Sequence, residues 1–240
     1  ARRKTNTMEQ MQILLAILVL LPFVSALLLA LCGSDRMRRL IVYGSAGVLM
    51  ISAVAFAVCF FSGENLQLRF LQSGGIIDHT MLALEAGFAV LITVLSIKYR
   101  RYYVAVLSIV QTVLTFVYEL GGYKPAVQPY NLFADQLTVI MVLIIAVVGT
   151  LITVYAVGYM RDYHSHHKEY TDRRRFFFAM LYVFLGAMFG LVLSNSLLWL
   201  YFFWEITSLV SFLLIGYTRT KEAVQNSFRA LWMNLLGGLG

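Results

Sequence analysis

Charge is scarce in this chain. Only 13% of its 240 residues are Asp, Glu, Lys or Arg, against about 25% in soluble domains. Together with 60% hydrophobic residues and a mean hydropathy of +0.77, this excludes an ordinary soluble domain and places the chain in the membrane class. Cysteine is rarer still. Cys32 and Cys59 lie at or inside apolar runs, so there is no disulfide framework, no CxxC and no Cys/His metal spacing, and a core or lipid-facing role is the default for both. There are three prolines. No glycine-rich phosphate loop is present: Gly237, Gly238 and Gly240 fall in an apolar helix, where glycine serves close helix packing. The net charge of +7 does not indicate nucleic acid, because the basic residues sit in short loops between apolar runs, the pattern of membrane topology.

What is present is a series of long apolar runs. A spanning helix needs about 20 such residues. Seven runs qualify: Met11–Leu31, Leu40–Phe61, Thr80–Ile97, Tyr102–Leu120, Gln136–Tyr159, Phe176–Ser194 and Leu197–Tyr217; an eighth starts near Ala223. The third and fourth carry Glu85 and Gln111 and are separated only by Lys98–Arg101; they are read as spanning rather than as an interfacial pair. The first run is too long for the h-region of a signal peptide, about 7–15 residues, and has no small-x-small cleavage site after it, so it is read as a retained helix. Thirteen Lys and Arg follow runs one, three, five and seven, against five on the other side. By the positive-inside rule the odd loops face the cytoplasm and the N-terminus faces out. The chain thus divides into a leader at 1–10, N-terminal helices at 11–120 with a probable inserted pair, and helices at 121–240.

One stretch, WLYFFWEITSLVSFLLIGY from Trp199 to Tyr217, carries a carboxylate near its middle. Glu205 lies nine residues into its run, about 12–13 Å from one end at 1.5 Å per residue. A charge there costs at least about 2.5–3.5 kcal/mol, and such residues mark ion pathways by default. A proton relay needs a group that holds a proton and releases it when a cation approaches, and a buried carboxyl is such a group. Thr207, Ser208 and Ser211 lie within two turns of it; they either hold water beside it or serve as packing hydroxyls. Glu85, six residues into its run, is expected close to the outer surface as a snorkelling, solvated side chain. Glu119 and Asp135 read as interfacial charges. His164, His166 and His167 are expected in a solvated loop rather than at a metal, with Arg173–Arg175 against anionic lipid heads. No His falls within any of the runs, so no haem-ligand pair is available and the chain itself is expected to hold no cofactor.

The segments FADQLTVIMVLIIAVVGTLITVYAVGYM and RRFFFAMLYVFLGAMFGLVLSNSLLWLYFFWEITSLVSFLLIGY resemble the antiporter-like, proton-pumping membrane subunits of complex I, the membrane-bound hydrogenases and the multi-subunit cation–proton antiporters. The resemblance rests on Asp135, Tyr159–Met160, Arg175–Phe176–Phe177, Trp204–Glu205, Ser211 and Ile215–Gly216–Tyr217. It implies an all-α, multi-pass bundle of about seven or eight helices, the N-terminal part of a larger subunit. It implies that Glu205 is the proton-transfer carboxylate, paired in the family with a Lys on a later helix, with Thr207, Ser208, Ser211 and Asp135 as supporting polar residues. Lys221, in a helix-flanking loop, is a poor substitute for that Lys. The family's Asn-Arg-x-Gly-Asp-like run is here Asn234–Gly238, without its Arg and Asp; this and the inserted Thr80–Leu120 pair point to the hydrogenase-linked branch.

The expected function is therefore movement of protons, or of sodium, in a complex I-like or hydrogenase-type complex of the cytoplasmic membrane. Iron–sulfur clusters, and a nickel–iron centre or quinone, would lie in partner subunits. Its partners would be lipids, further membrane subunits and a peripheral redox arm, with no nucleic acid. The alternatives are a subunit of a stand-alone sodium/proton antiporter and a structural membrane anchor.

Overall fold

A computed structural model describes residues 2–62, 68–72, 76–120 and 130–238, with side chains described for 9–62, 79–118 and 130–238. The Glu119 side chain and the loop carrying Lys124 lie outside that description. The apolar runs form helices α1 (Arg2–Leu31), α2 (Asp35–Ser62), α3 (Ile76–Lys98), α4 (Tyr102–Leu120), α5 (Gln136–Ile144), α6 (Thr150–His166), α7 (Arg174–Leu193), α8 (Leu197–Ile215) and α9 (Lys221–Gly237). A single π turn, Ile145–Gly149, joins α5 to α6, a one-residue adjustment of the kind found inside otherwise regular helices. Strands β1 (Leu68–Gln72) and β2 (Tyr130–Ala134) pair as a two-stranded sheet; the rest of the described architecture is all-α. Six helical stretches are long and apolar enough to cross a membrane, Gln136–His166 counting as one, while Tyr102–Tyr118 is a shorter apolar helix.

Several helix ends are set by local chemistry. Asp135 caps α5, accepting from Thr138 N at 2.8 Å. Ser196 caps α8 and Thr220 caps α9 in the same way. Each oxygen satisfies one of the backbone N–H groups that a helix start leaves without a partner. Four helices extend beyond their apolar runs by four residues or more, α1 beginning at Arg2 and α2 at Asp35. α3 begins at Ile76, taking in Asp78 and His79, and α6 continues to His166. His79, His164 and His166 are therefore helical, because polar residues at a helix end interrupt hydropathy without interrupting backbone hydrogen bonding.

By contacts the chain falls into two units: residues 1–70 with 133–193, and residues 71–132 with 194–240. In the first, α1 lies against α7 and α2. Gly186 on α7 permits this closeness, since a Cβ there would stand 2.9–3.1 Å from the Phe23 ring of α1. The buried Tyr182 hydroxyl donates to Val42 O at 3.1 Å and meets Ser45 Oγ at 2.6 Å, tying α7 to α2. At one end, Asp35 binds Arg38 and Arg174, and Arg174 also grips Asp172 at 2.7 Å. The Arg174 guanidinium holds the Asp172 carboxyl down at about 2. In the second unit, α3 packs on α4 and α8, and α9 on α4 and α8. Its apolar core includes Ile92, Val104, Leu209, Phe212, Phe228 and Leu231.

Candidate functional site

The second unit holds a buried polar group beside that core. Glu205, on α8, is 4% exposed. The Tyr201 hydroxyl, one turn back on the same helix, donates to Glu205 Oε1 at 3.3 Å. Glu205 Oε2 is buried and has no hydrogen-bond partner among the described residues. From α4, the Thr115 hydroxyl comes within hydrogen-bonding reach of the Tyr201 phenol. Gln111, one turn away on α4, is 3% exposed and its Oε1 is also buried without a hydrogen-bond partner among the described residues. The Gln111 Nε2 and Tyr201 Cε2 atoms reach the same point over Gly238, 2.8 and 3.6 Å from where a Cβ would stand. An open groove of about 430 Å³, lined in part by Gln111, Thr115, Tyr201 and Trp204, adjoins them.

Glu85 belongs to this group, contrary to the expectation of a solvated side chain near the surface. It is fully buried, and its charge acts on both Glu205 and Tyr201. Two things move it inward. α3 starts four residues earlier than its apolar run, which places Glu85 more than two turns from the helix start. The face of α3 that carries it also meets α8, where Phe88 stacks on Phe202 with centroids 5.8 Å apart. Gln111 and Glu85 gave a signal in the sequence, polar residues inside apolar runs, but not the direction in which they point.

The other candidates are placed as follows. Thr207 Oγ1 and Ser208 Oγ both donate to Trp204 O, and Ser211 Oγ donates to Thr207 O. All three hydroxyls thus bond back to their own helix, the usual habit of Ser and Thr inside helices. Asp135 is occupied as the α5 cap: its carboxyl is held below the ordinary range first by the Thr138 backbone N–H and also by the Thr138 hydroxyl. His164 lies beside Asp172 and His167 beside Glu169. Cys32 and Cys59 are free and half-buried. Lys221 is the first residue of α9 and is exposed.

Helices of which six stretches are long and apolar enough to cross a membrane, with a carboxylate buried along one of them, are those of a multi-pass membrane protein. Residues 128–177 match the family described as NADH-Ubiquinone oxidoreductase (complex I), chain 5 N-terminus. Residues 194–240, which include Glu205, match NADH:quinone oxidoreductase/Mrp antiporter, TM. These matches place the chain among the antiporter-like membrane subunits of the complex I/Mrp family. The chain is similar to Na(+)/H(+) antiporter subunit A1 of Staphylococcus haemolyticus (strain JCSC1435), 32% identical over 139 residues, 58% of this chain and 16% of that protein. It is similar to Na(+)/H(+) antiporter subunit A1 of Staphylococcus aureus (strain JH9), 28% identical over 178 residues, 67% of this chain and 21% of that protein. The chain thus spans about a fifth or less of these curated relatives.

Proposed function

We propose that this chain contributes the ion-handling carboxylate of a multi-subunit sodium/proton antiporter, with Glu205 as the group that takes up and releases the ion. The observation that carries this reading is the Glu205 carboxylate itself, buried along α8 with one oxygen held by Tyr201 and the other without a hydrogen-bond partner among the described residues. A carboxylate that served only packing would have both oxygens satisfied. The names of the Staphylococcus relatives support the stand-alone antiporter over the hydrogenase-linked reading that the Asn234–Gly238 run and the inserted helix pair suggest. The partners are lipids and sibling membrane subunits. The basic loops orient the chain with its odd loops toward the cytoplasm.

The test is made on the assembled complex in sealed vesicles. With no electron donor present, an imposed sodium gradient should drive proton movement, and Glu205→Gln should lower that exchange roughly tenfold or more while leaving assembly intact. Unchanged exchange in the variant would reduce the chain to an anchor. A second reading is favoured by the complex I description that matches residues 128–177: ion movement driven by a redox arm whose partner subunits carry iron–sulfur clusters, with a quinone or nickel–iron centre. Under that reading uptake appears only when an electron donor is supplied.

A further inference from the structure

The histidines at the end of α6 do not share one environment. Thr153, Ala156 and Met160 lie on the buried stripe of α6. His164, one turn past Met160, continues it, since residues four apart share a helix face. Its side chain is 9% exposed, against 72% for that of His166. His164 Nε2 stands 3.8 Å from Oδ1 of Asp172, in the α6–α7 loop, and the ring lies edge-on to Tyr163. Asp172 is held by Arg174 at the start of α7: Oδ1 accepts from the Arg174 backbone N–H and from Nε, both at 3.0 Å, and Oδ2 accepts from Nη2 at 2.7 Å. Arg174 Nη1 reaches Asp35 Oδ2 on α2 at 3.5 Å. Asp35 binds Arg38, whose guanidinium lies over the Phe178 ring of α7, and Arg175 brings further positive charge to bear on Arg38. Nearby, His166 is paired with Asp162 and His167 with Glu169. The contacts form a clasp from α6 through the loop and α7 to α2. Its carboxylates, Asp35 and Asp172, balance its guanidiniums, Arg38 and Arg174, as long as His164 carries no charge.

Histidine side chains change charge between about pH 5 and pH 8. A proton on His164 sets a third cation beside Arg38 and Arg174, whose side chains are only 7% and 19% exposed. The carboxylate within reach is Asp172. A charge-assisted N–H···O bond spans about 2.7–2.9 Å, so Asp172 Oδ1 has about 1 Å to move. Oδ1 is the oxygen that meets the Arg174 backbone N–H and Nε, and moving toward His164 draws it off both. We propose that His164 is a proton sensor for this chain: its protonation pulls Asp172 from Arg174, slackens the clasp between α7 and α2, and slows ion movement. The one bond made is N–H, with the proton taken from water on the side that the α6–α7 loop faces. α7 keeps its deeper tie to α2, Tyr182 on Val42 O and Ser45, so the unit stays folded while its end loosens. Nothing in this chain of contacts involves Glu205.

The experiment uses the assembled complex. Hydrogen–deuterium exchange at the imidazole C2 position, read by mass spectrometry, titrates His164 itself. Amide exchange over residues 167–174, corrected for its intrinsic pH dependence, reads the clasp. His164 should take up its proton between about pH 5 and pH 8. Over that range the loop amides of the native complex should exchange roughly tenfold faster at the acid end, and those of His164→Gln should change less than about twofold. In Asp172→Asn the ring should still titrate while the loop ceases to follow it. In sealed vesicles, the same drop in pH on the loop side should slow sodium-driven proton movement about threefold more in the native complex than in His164→Gln. A His164 that does not titrate in that range, or a loop that ignores its titration, overturns the sensor. A loop that follows it while both transport profiles coincide overturns its control of ion movement. Glu205→Gln should leave the ring titration and the loop response as they are, so a failure of the ion-handling reading shows separately. Should His164→Gln fail to assemble, the native complex decides: loop exchange that does not track the ring's midpoint overturns the proposal.

Discussion

Tyr201 decides how Glu205 presents its charge, because its hydroxyl is the one described donor to that carboxylate. Hydrogen bonds to charged groups contribute about 1.5–3 kcal/mol, so Tyr201→Phe should slow sodium-driven exchange roughly tenfold, less than Glu205→Gln, in the same vesicle assay. A second residue-scale prediction concerns Asp172, which Arg174 holds at about 2, below the value of about 3.9 in an unfolded chain. A carboxyl whose folded pKa is depressed stabilises the fold above its unfolded pKa and loses that contribution as pH falls through the folded one. The thermal midpoint of the detergent-solubilised protein should therefore fall between about pH 4 and pH 2, and Asp172→Asn should flatten that descent. At this scale the sequence was unevenly legible. Glu205 was visible because a carboxylate in the middle of a long apolar run has no surface to reach. Glu85 was misjudged because its burial depends on which face of α3 meets α8, a fact carried by residues more than a hundred positions away.

Helices are where the sequence spoke most plainly, since runs of about 20 apolar residues have few alternatives in lipid. α7 and α8 lie close to the bounds their hydropathy suggests. The exceptions are physical in the same way: Asp78 and His79 in α3, and His164 and His166 in α6, are polar yet compatible with helix. Hydropathy also gives no sign of the π turn at Ile145–Gly149, which is a matter of local packing. The closeness of α1 and α7 yields a prediction at this scale. Gly186→Val would push a side chain into the Phe23 ring, an overpacking that costs about 1–3 kcal/mol. The thermal midpoint should drop, and Phe23→Leu in the same chain should recover part of the loss. An additive double variant would mean that the two helices do not meet there as described.

For the whole molecule the orientation is the first thing to check. Cysteines introduced at Ser165 and at Lys124 should be labelled by an impermeant reagent from opposite sides of the membrane; labelling from one side would overturn the parity of the loops. The division into units has a different consequence. Residues 71–132 belong with 194–240, and the chain makes 133–193 in between. Glu85 leaves the ribosome 120 residues before Glu205, and at about 5–20 residues per second that is on the order of ten seconds. Throughout that interval the α3–α4 hairpin is born without the helix that shelters its carboxyl. Biogenesis of this protein therefore contains a waiting period, in which an insertase or lipid headgroups must keep the hairpin company until α8 arrives.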